Sequence, residues 1–491
     1  MKTIFLCMDS LNRHYLSPYK PSFVKTPNID RIFERAVRFE NHYCGSLPCM
    51  PARREFFTGR LNFLEAPWGS LEPWDASLPR ILRDSGIYTH MITDHYHYFE
   101  GGGAGYFQAF DSWELERGQE GDVWHPLVRS PEIPEYRGKN RRAYWVNRQF
   151  MDSENDLDYP TPRCLERAAN FLDNNHGEDS WHIHLEVFDP HEPFVCPKKY
   201  LDMYGDDWQG YHFDWPDYAP VTEGEEAVKH IRRRYAGTLT MADFWLGKFL
   251  DKMDEYNLWE DTALIFTTDH GHLLGEHGYW AKNYTFVYEE LSHIPLCICA
   301  PEKEHKSISA LTAAIDLMPT ILEMHGAAVP ESVQGKSLLH LLQGDGAHHD
   351  AVLFGYFGQD INMFDGRHTY CRQPIPGSTV YMHTLSTDTR QGFLPKEDLE
   401  RAELGYFLSY AGNIPQLRIA KKSQKHMNPE EFNPIYDILN DPDQQNPLHD
   451  AGLEEELAKK MFELLLRYEA PPCQFSRMGF DYTSPQMNTS E

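Results

Sequence analysis

The chain has 491 residues and a formal charge of −28, from 46 basic and 74 acidic side chains. That acidity excludes a nucleic-acid partner gripped through phosphates, which needs a basic surface, and leaves room for a small anionic ligand gathered by a local cluster of cations or a metal. With 41% hydrophobic and 13% aromatic residues, the chain can bury a large core, which excludes disorder as the dominant state.

Residues 4–8 form an apolar run that ends at Asp9 and reads as a buried central strand. About five apolar residues fall short of the ~7–15 of a signal sequence. No run reaches the ~18–20 of a membrane span, so the expectation is a cytoplasmic protein with no membrane partner. Nine cysteines, at positions 7, 44, 49, 164, 196, 297, 299, 371 and 473, are odd in number and lack framework spacing, so they are expected to be reduced. Thr26-Pro27-Asn28-Ile29-Asp30 opens a helix expected to run to Phe39, with proline at the first helical position. A helix follows over residues 77–84 and a strand over 88–93. Residues 111–159 are rich in Trp, Tyr, Arg and Glu with little periodicity, an irregular insertion of the kind that often carries function. Residues 168–171 sit in a helix, and 181–188 form a strand ending at Asp189-Pro190-His191. Residues 225–253 give a long helix, 262–268 a strand ending at Asp269-His270-Gly271, and 308–325 a helix closed by Gly326.

Strands alternating with helices predict an α/β fold with a mostly parallel central sheet, and ligands in such folds collect beyond the carboxyl ends of the strands. Asp9, His191 and Asp269 lie there. After residue 345 the pattern changes to short strands over 351–357, 369–371, 379–383 and 416–420, a polar surface excursion over 386–403, and a closing helix over 454–468. The predicted organisation is a catalytic domain over 1–345, a smaller antiparallel sheet-plus-helix subdomain over 346–470, and a tail over 471–491 that is loosely held or used in assembly.

Cys49-Met50-Pro51-Ala52-Arg53 sets a thiol four residues before an arginine, and Thr58-Gly59-Arg60 closes the segment. Alone, the pentapeptide suits a buried thiol beside a turn proline. Four further segments accompany it: Thr26 to Asp30, Asp316-Leu317-Met318-Pro319-Thr320, Gln334-Gly335-Lys336-Ser337-Leu338, and Asn433-Pro434-Ile435-Tyr436-Asp437 followed by Asn440-Asp441-Pro442. In order and spacing over residues 1–450 they resemble the type I sulfatases of the alkaline phosphatase superfamily.

The resemblance implies that a formylglycine-generating or sulfatase-maturing enzyme oxidises Cys49 to formylglycine, whose hydrate is the nucleophile. It implies one divalent metal held by Asp9, position 49, Asp269 and His270. Calcium is the family expectation; carboxylate oxygens also suit Mg²⁺ or Mn²⁺, and one imidazole tilts slightly to Mn²⁺. By the same resemblance Arg53 anchors the nucleophile, His191 protonates the leaving oxygen, and Lys282, after Gly275-Glu276-His277-Gly278, contacts sulfate. His272 and His277 take supporting roles. Two departures stand out. The family usually has two adjacent acids where this chain has Asp9-Ser10, a single acid like that of the related phosphonate monoester hydrolases. Where many sulfatases continue to Gly-Lys-Trp-His, this chain reads Thr93-Asp94-His95-Tyr96-His97, so the lysine is absent. Strict register puts Tyr96 at the histidine position; a one-residue slip puts His97 there, preferred over His95 as the base for the second hydroxyl. Gly101-Gly102-Gly103 is expected to form a tight loop beside the site.

The expected activity is sulfuric ester hydrolysis on a small anionic ester, a sulfated sugar or an aryl or alkyl sulfate. The alternative is a phosphonate monoester or phosphodiester hydrolase. A non-catalytic binder of the same fold is less favoured, because candidate nucleophile, ligands and acid are all retained. An acidic chain with aromatic-rich insertions also suits a homo-oligomer.

Overall fold

The computed structural model describes residues 1–482 apart from 101–104, 153, 284, 304, 345, 391 and 425–431. The three-glycine segment and the last nine residues of the tail lie outside the described residues.

Eight strands form the main sheet: β1 (Lys2–Met8), β2 (Val37–Tyr43), β3 (Tyr88–Thr93), β4 (Ser112–Leu115), β5 (Trp181–Val187), β6 (Thr262–Thr267), β7 (Leu296–Cys299) and β8 (Lys306–Ala313). Their order is β8-β2-β7-β6-β1-β5-β3-β4. Strand β7 runs antiparallel to both its neighbours, and the other pairings are parallel. Side chains alternate across a strand, and a parallel sheet is covered on both faces. Accordingly Phe5 and Cys7 of β1 enter one apolar layer, and Ile4, Leu6 and Met8 enter the other. The helices Pro27–Phe33, Pro160–Asn175 and Glu225–Glu255 supply the second layer. Cys49–Thr58, Leu78–Asp84 and Leu317–Met324 supply the first.

Two helix expectations are corrected. The helix from Pro27 ends at Phe33, and residues expected at its end begin β2. Val37 and Phe39 are buried while Arg38 and Glu40 are half-buried, a period of two. Residues 308–325 split: the first part is β8, paired with β2, and the helix proper starts at Leu317. Short apolar runs do not distinguish strand from helix by periodicity. The insertion also adds the edge strand β4 and a helix, Arg142–Arg148.

The C-terminal part has a five-stranded sheet in which Val352–Tyr356, Ile361–Phe364, His368–Arg372 and Ile435–Asp437 pair antiparallel. Its fifth strand, Ser46–Leu47, comes from far upstream and runs parallel to Val352–Tyr356. Thr379–Thr384, Gln416–Lys422 and Glu403–Gly405 form a separate sheet. Val352, Phe354 and Leu464 share one apolar cluster with Phe5 and Phe39. The chain past Pro471 is not loosely held where it is described. Pro472–Arg477 is helical, Gln474 Nε2 donates to Leu64 O at 2.5 Å, and buried Arg477 donates to Gln359 O at 2.6 Å. All nine cysteines are free. Among the described residues no helix is long and apolar enough to cross a membrane.

Asp316 ties β8 to the following helix. Its carboxylate accepts from Ala313 N (2.8 Å) and Lys336 N (2.9 Å), and it faces His348 and His349 at 3.1 and 2.9 Å. Burial opposes its charge, yet the two histidines hold its pKa well below the usual range. A depressed carboxyl pKa contributes stability above the unfolded value of about 3.9 and loses it as pH falls below. Asp316→Asn is therefore expected to cost about 2 kcal/mol at neutral pH. The deficit should shrink below about pH 4, as measured by urea unfolding across pH. A deficit independent of pH would contradict this account.

Candidate active site

Strands β3, β5, β1 and β6 lie side by side, and their carboxyl ends open into adjacent loops. These loops carry Asp94 to His97, Asp189 to His191, Asp9 with Ser10, and Asp269 with His270. Cys49 begins the Cys49–Thr58 helix, all of whose residues are buried. The helix is closed by Gly59 in the left-handed region (φ 63°), whose N–H reaches Glu55 O at 2.8 Å. A spacing of four residues puts Arg53 one turn above Cys49 on the same face, and Arg53 Nη1 donates to Cys49 O at 3.2 Å.

Arg53 faces three acidic side chains with one guanidinium: Asp9 at 2.8 Å, Glu186 at 2.8 Å and Asp269 at 2.7 Å, all fully buried. Glu186 also accepts from Tyr98 Oη (2.6 Å) and lies 2.7 Å from His184. Burial opposes its charge, but Arg53 and His184 hold it down at about 2. His270 Nδ1 donates to Gly271 O at 2.8 Å, so its Nε2 lone pair faces the cluster, 3.5 Å from Cys49 Sγ. Burial, reinforced by Asp9, pushes the Cys49 thiol well above its ordinary value.

The cluster fits a divalent cation on its own chemistry. Ligand atoms of Asp9, Cys49, Asp269 and His270 lie within 4.8 Å of one another. Asp9 Oδ2 is buried and makes no hydrogen bond, despite its closeness to Arg53. Three buried acids set against Arg53 and Lys282 leave an excess of one negative charge. Gly271 is required here, since a Cβ would sit 1.8 Å from Glu290 O.

Ser10 stands where a second acid was expected. It donates to Asp9 Oδ1 (2.8 Å) and accepts from Lys282 Nζ (2.8 Å), and Lys282 lies 3.5 Å from Cys49 Sγ. His191 donates through Nδ1 to Glu192 O and is lowered to about 4 by burial and then by Lys282. Cys49, His97, His191 and Lys282 line one cavity of about 350 Å³, with Lys139, Arg141, Tyr218 and Arg390 among its walls. The setting of His97 differs from that of a base. Its two ring nitrogens meet Glu100 at 2.7 Å and Glu120 at 3.1 Å. Although burial opposes it, these carboxylates raise its pKa. With a carboxylate at each ring nitrogen, neither nitrogen is left free to act as a base. His95 instead points at Asp9, 3.4 Å away, and Tyr96 donates to Glu120 at 2.6 Å. Asp94 turns away to accept from Phe188 N, Gln119 and Thr161. His272 and His277 contact Glu192 and Glu290 and hold loops.

The sulfatase family model matches residues 2–327. The chain belongs to the sulfatase family. Arylsulfatase K of Xenopus laevis is 33% identical over 377 residues, covering 69% of this chain and 67% of that protein. The phosphonate monoester hydrolase of Agrobacterium radiobacter superposes with a TM-score of 0.68 at 17% identity, covering 95% of this chain and 96% of that one. A structure in complex with its substrate D-glucosamine-2-N,6-O-disulfate superposes with a TM-score of 0.66 at 17% identity, covering 95% and 98%. These two likenesses show the alkaline-phosphatase-like fold.

Several side chains of this sulfatase site escaped the sequence. Glu186 could have been suspected as the one acid inside an apolar strand. Glu120, Lys139, Arg141 and Arg390 lie in irregular segments with no local signal. Gly271→Ala is expected to lower stability by about 1–3 kcal/mol through overpacking and to displace His270. A denaturation midpoint equal to that of the parent would refute the close approach.

Proposed function

We propose that this protein releases sulfate from a sulfated sugar or an aryl or alkyl sulfate, using a formylglycine made from Cys49 and one divalent cation. The observation that supports it best is the convergence of Asp9, Asp269 and His270 on Cys49, which lines one cavity together with His191 and Lys282. Bound by Asp9, Asp269, His270 and position 49, the cation would neutralise the non-bridging ester oxygens as the S–O bond breaks. The hydrated aldehyde would offer one hydroxyl to attack sulfur and a second whose deprotonation expels sulfate.

The chain's own groups do the rest. Arg53 fixes the orientation of the Cys49 turn and of Asp9 and Asp269. Lys282, held by Ser10, presents an ammonium beside position 49. His191, fixed through Nδ1, keeps Nε2 for the departing oxygen. It is neutral in the free enzyme, and an anionic ester beside it raises its proton affinity towards the range useful for an acid. His97, clasped by Glu100 and Glu120, stands in the cavity wall where the family's missing lysine and histidine would lie. The site-only alternative, phosphonate monoester hydrolysis, is favoured by the single acid Asp9 beside Ser10.

Protein produced with a maturing enzyme is expected to show an aldehyde at position 49 by peptide mass spectrometry; a retained thiol would sink the mechanism. It should cleave 4-nitrophenyl sulfate faster than a phenyl phosphonate monoester, and the reverse order selects the alternative. His191→Ala should slow an alkyl sulfate by about 10²–10⁴-fold and 4-nitrophenyl sulfate far less, because a good leaving group needs no acid. Equal losses on both would remove His191 from that role.

A further inference from the structure

Four fixed cations line the cavity, and three are already engaged. Lys282 is bonded to Ser10 beside Cys49. Lys139 lies 3.3 Å from Glu192 and 3.4 Å above the Tyr218 ring. Arg390 lies 3.2 Å from Glu100 and 4.9 Å from the Trp68 ring. Arg141 differs: among the described residues it has no carboxylate within 4 Å, and its guanidinium lies 5.4 Å from the Trp215 ring. Its stem is nonetheless built in. Gly121 leaves room for it, since a Cβ there would lie 2.9 Å from Arg141 Cδ and 3.2 Å from Nη1. In a chain of charge −28, a half-buried arginine in a cavity wall with no carboxylate partner among the described residues is an uncommitted anion receptor.

Arg141 also borders a neighbouring cavity of about 640 Å³, with Tyr96, Phe99 and Trp113 in its wall. It therefore stands where the two cavities meet, on the insertion rather than on the strand ends that hold the ester. Its planar fork suits a carboxylate or sulfate through two parallel N–H bonds.

We infer that Arg141, with Lys139 beside it, forms a second anion subsite, so that the substrate carries a further sulfate or carboxylate next to the ester that is cleaved. The inference rests on the sulfatase reading of the same cavity and narrows its substrate class to polyanionic esters. Arg141 sets specificity and takes no part in bond breaking.

The test is binding, which does not require turnover. Cys49→Ala protein is titrated calorimetrically with matched pairs: 3- and 4-carboxyphenyl sulfate against their methyl esters, and D-glucosamine-2-N,6-O-disulfate against N-acetylglucosamine-6-O-sulfate. In at least one pair the dianion is expected to bind about tenfold or more tightly. Arg141→Gln should abolish that advantage while leaving the monoanion within about twofold, and Arg141→Lys should restore part of it. Equal affinity within every pair overturns the inference, as does an advantage that survives Arg141→Gln. If the dianion advantage holds and the matured enzyme cleaves none of these esters, the subsite stands and the sulfatase activity falls.

Discussion

One guanidinium organises this molecule. Arg53 joins Asp9 after β1, Glu186 at the end of β5, Asp269 after β6, and the carbonyl of Cys49, with every partner out of water. Removing an arginine from such a place would strand three buried acids, a loss of the order of 3–5 kcal/mol for even a single broken buried pair. The same contacts fix three central strand ends relative to the helix that begins at Cys49. The four-residue spacing from Cys49 thus has a geometric meaning, because it sets Arg53 on the face that looks back over the helix's first turn. Arg53 also falls short of neutralising its partners, and that shortfall suits the cluster to the cation of the proposed function.

Around this centre the labour divides by origin in the chain. On the proposed function, groups that face the reacting bond come from strand ends: Asp9, His191, Asp269 and His270. Groups that shape the cavity wall come from irregular segments. Lys139 and Arg141 sit in the insertion, and Arg390 in the excursion that follows the C-terminal strands. The rigid sheet holds the chemistry, and loops free of ladder hydrogen bonds supply the variety.

Much of the sheet was legible because its central strands are buried on both faces and end abruptly on acids or histidine. The strands β2, β7 and β8 were hidden. They are short or flank helical signals, and their pairing partners lie far away in sequence. The site was legible where a motif and a strand end coincide, as at Asp269-His270 and Asp9. It was not where function depends on a partner distant in sequence. Nothing around His97 announces that Glu120, 23 positions on, will clasp its other side. Nor does the sequence show that Ser10 will take up Lys282.

The strand Ser46–Leu47 has a temporal meaning. It leads directly into Cys49 and is clamped by Val352–Tyr356 from the far part of the chain, with Gly355 N donating to Gly45 O at 2.9 Å. With that clamp closed, every residue of the Cys49 helix is buried, and position 49 is reached only through the cavity it lines. The clamping strand leaves the ribosome about 300 residues after Cys49, roughly 15–60 s later at ~5–20 residues per second. Oxidation of the thiol, on the proposed mechanism, must be finished within that interval or on a chain not yet folded. Synthesis rate and abundance of the modifying enzyme would then set how much of the protein is ever competent, independently of how stable the finished fold is.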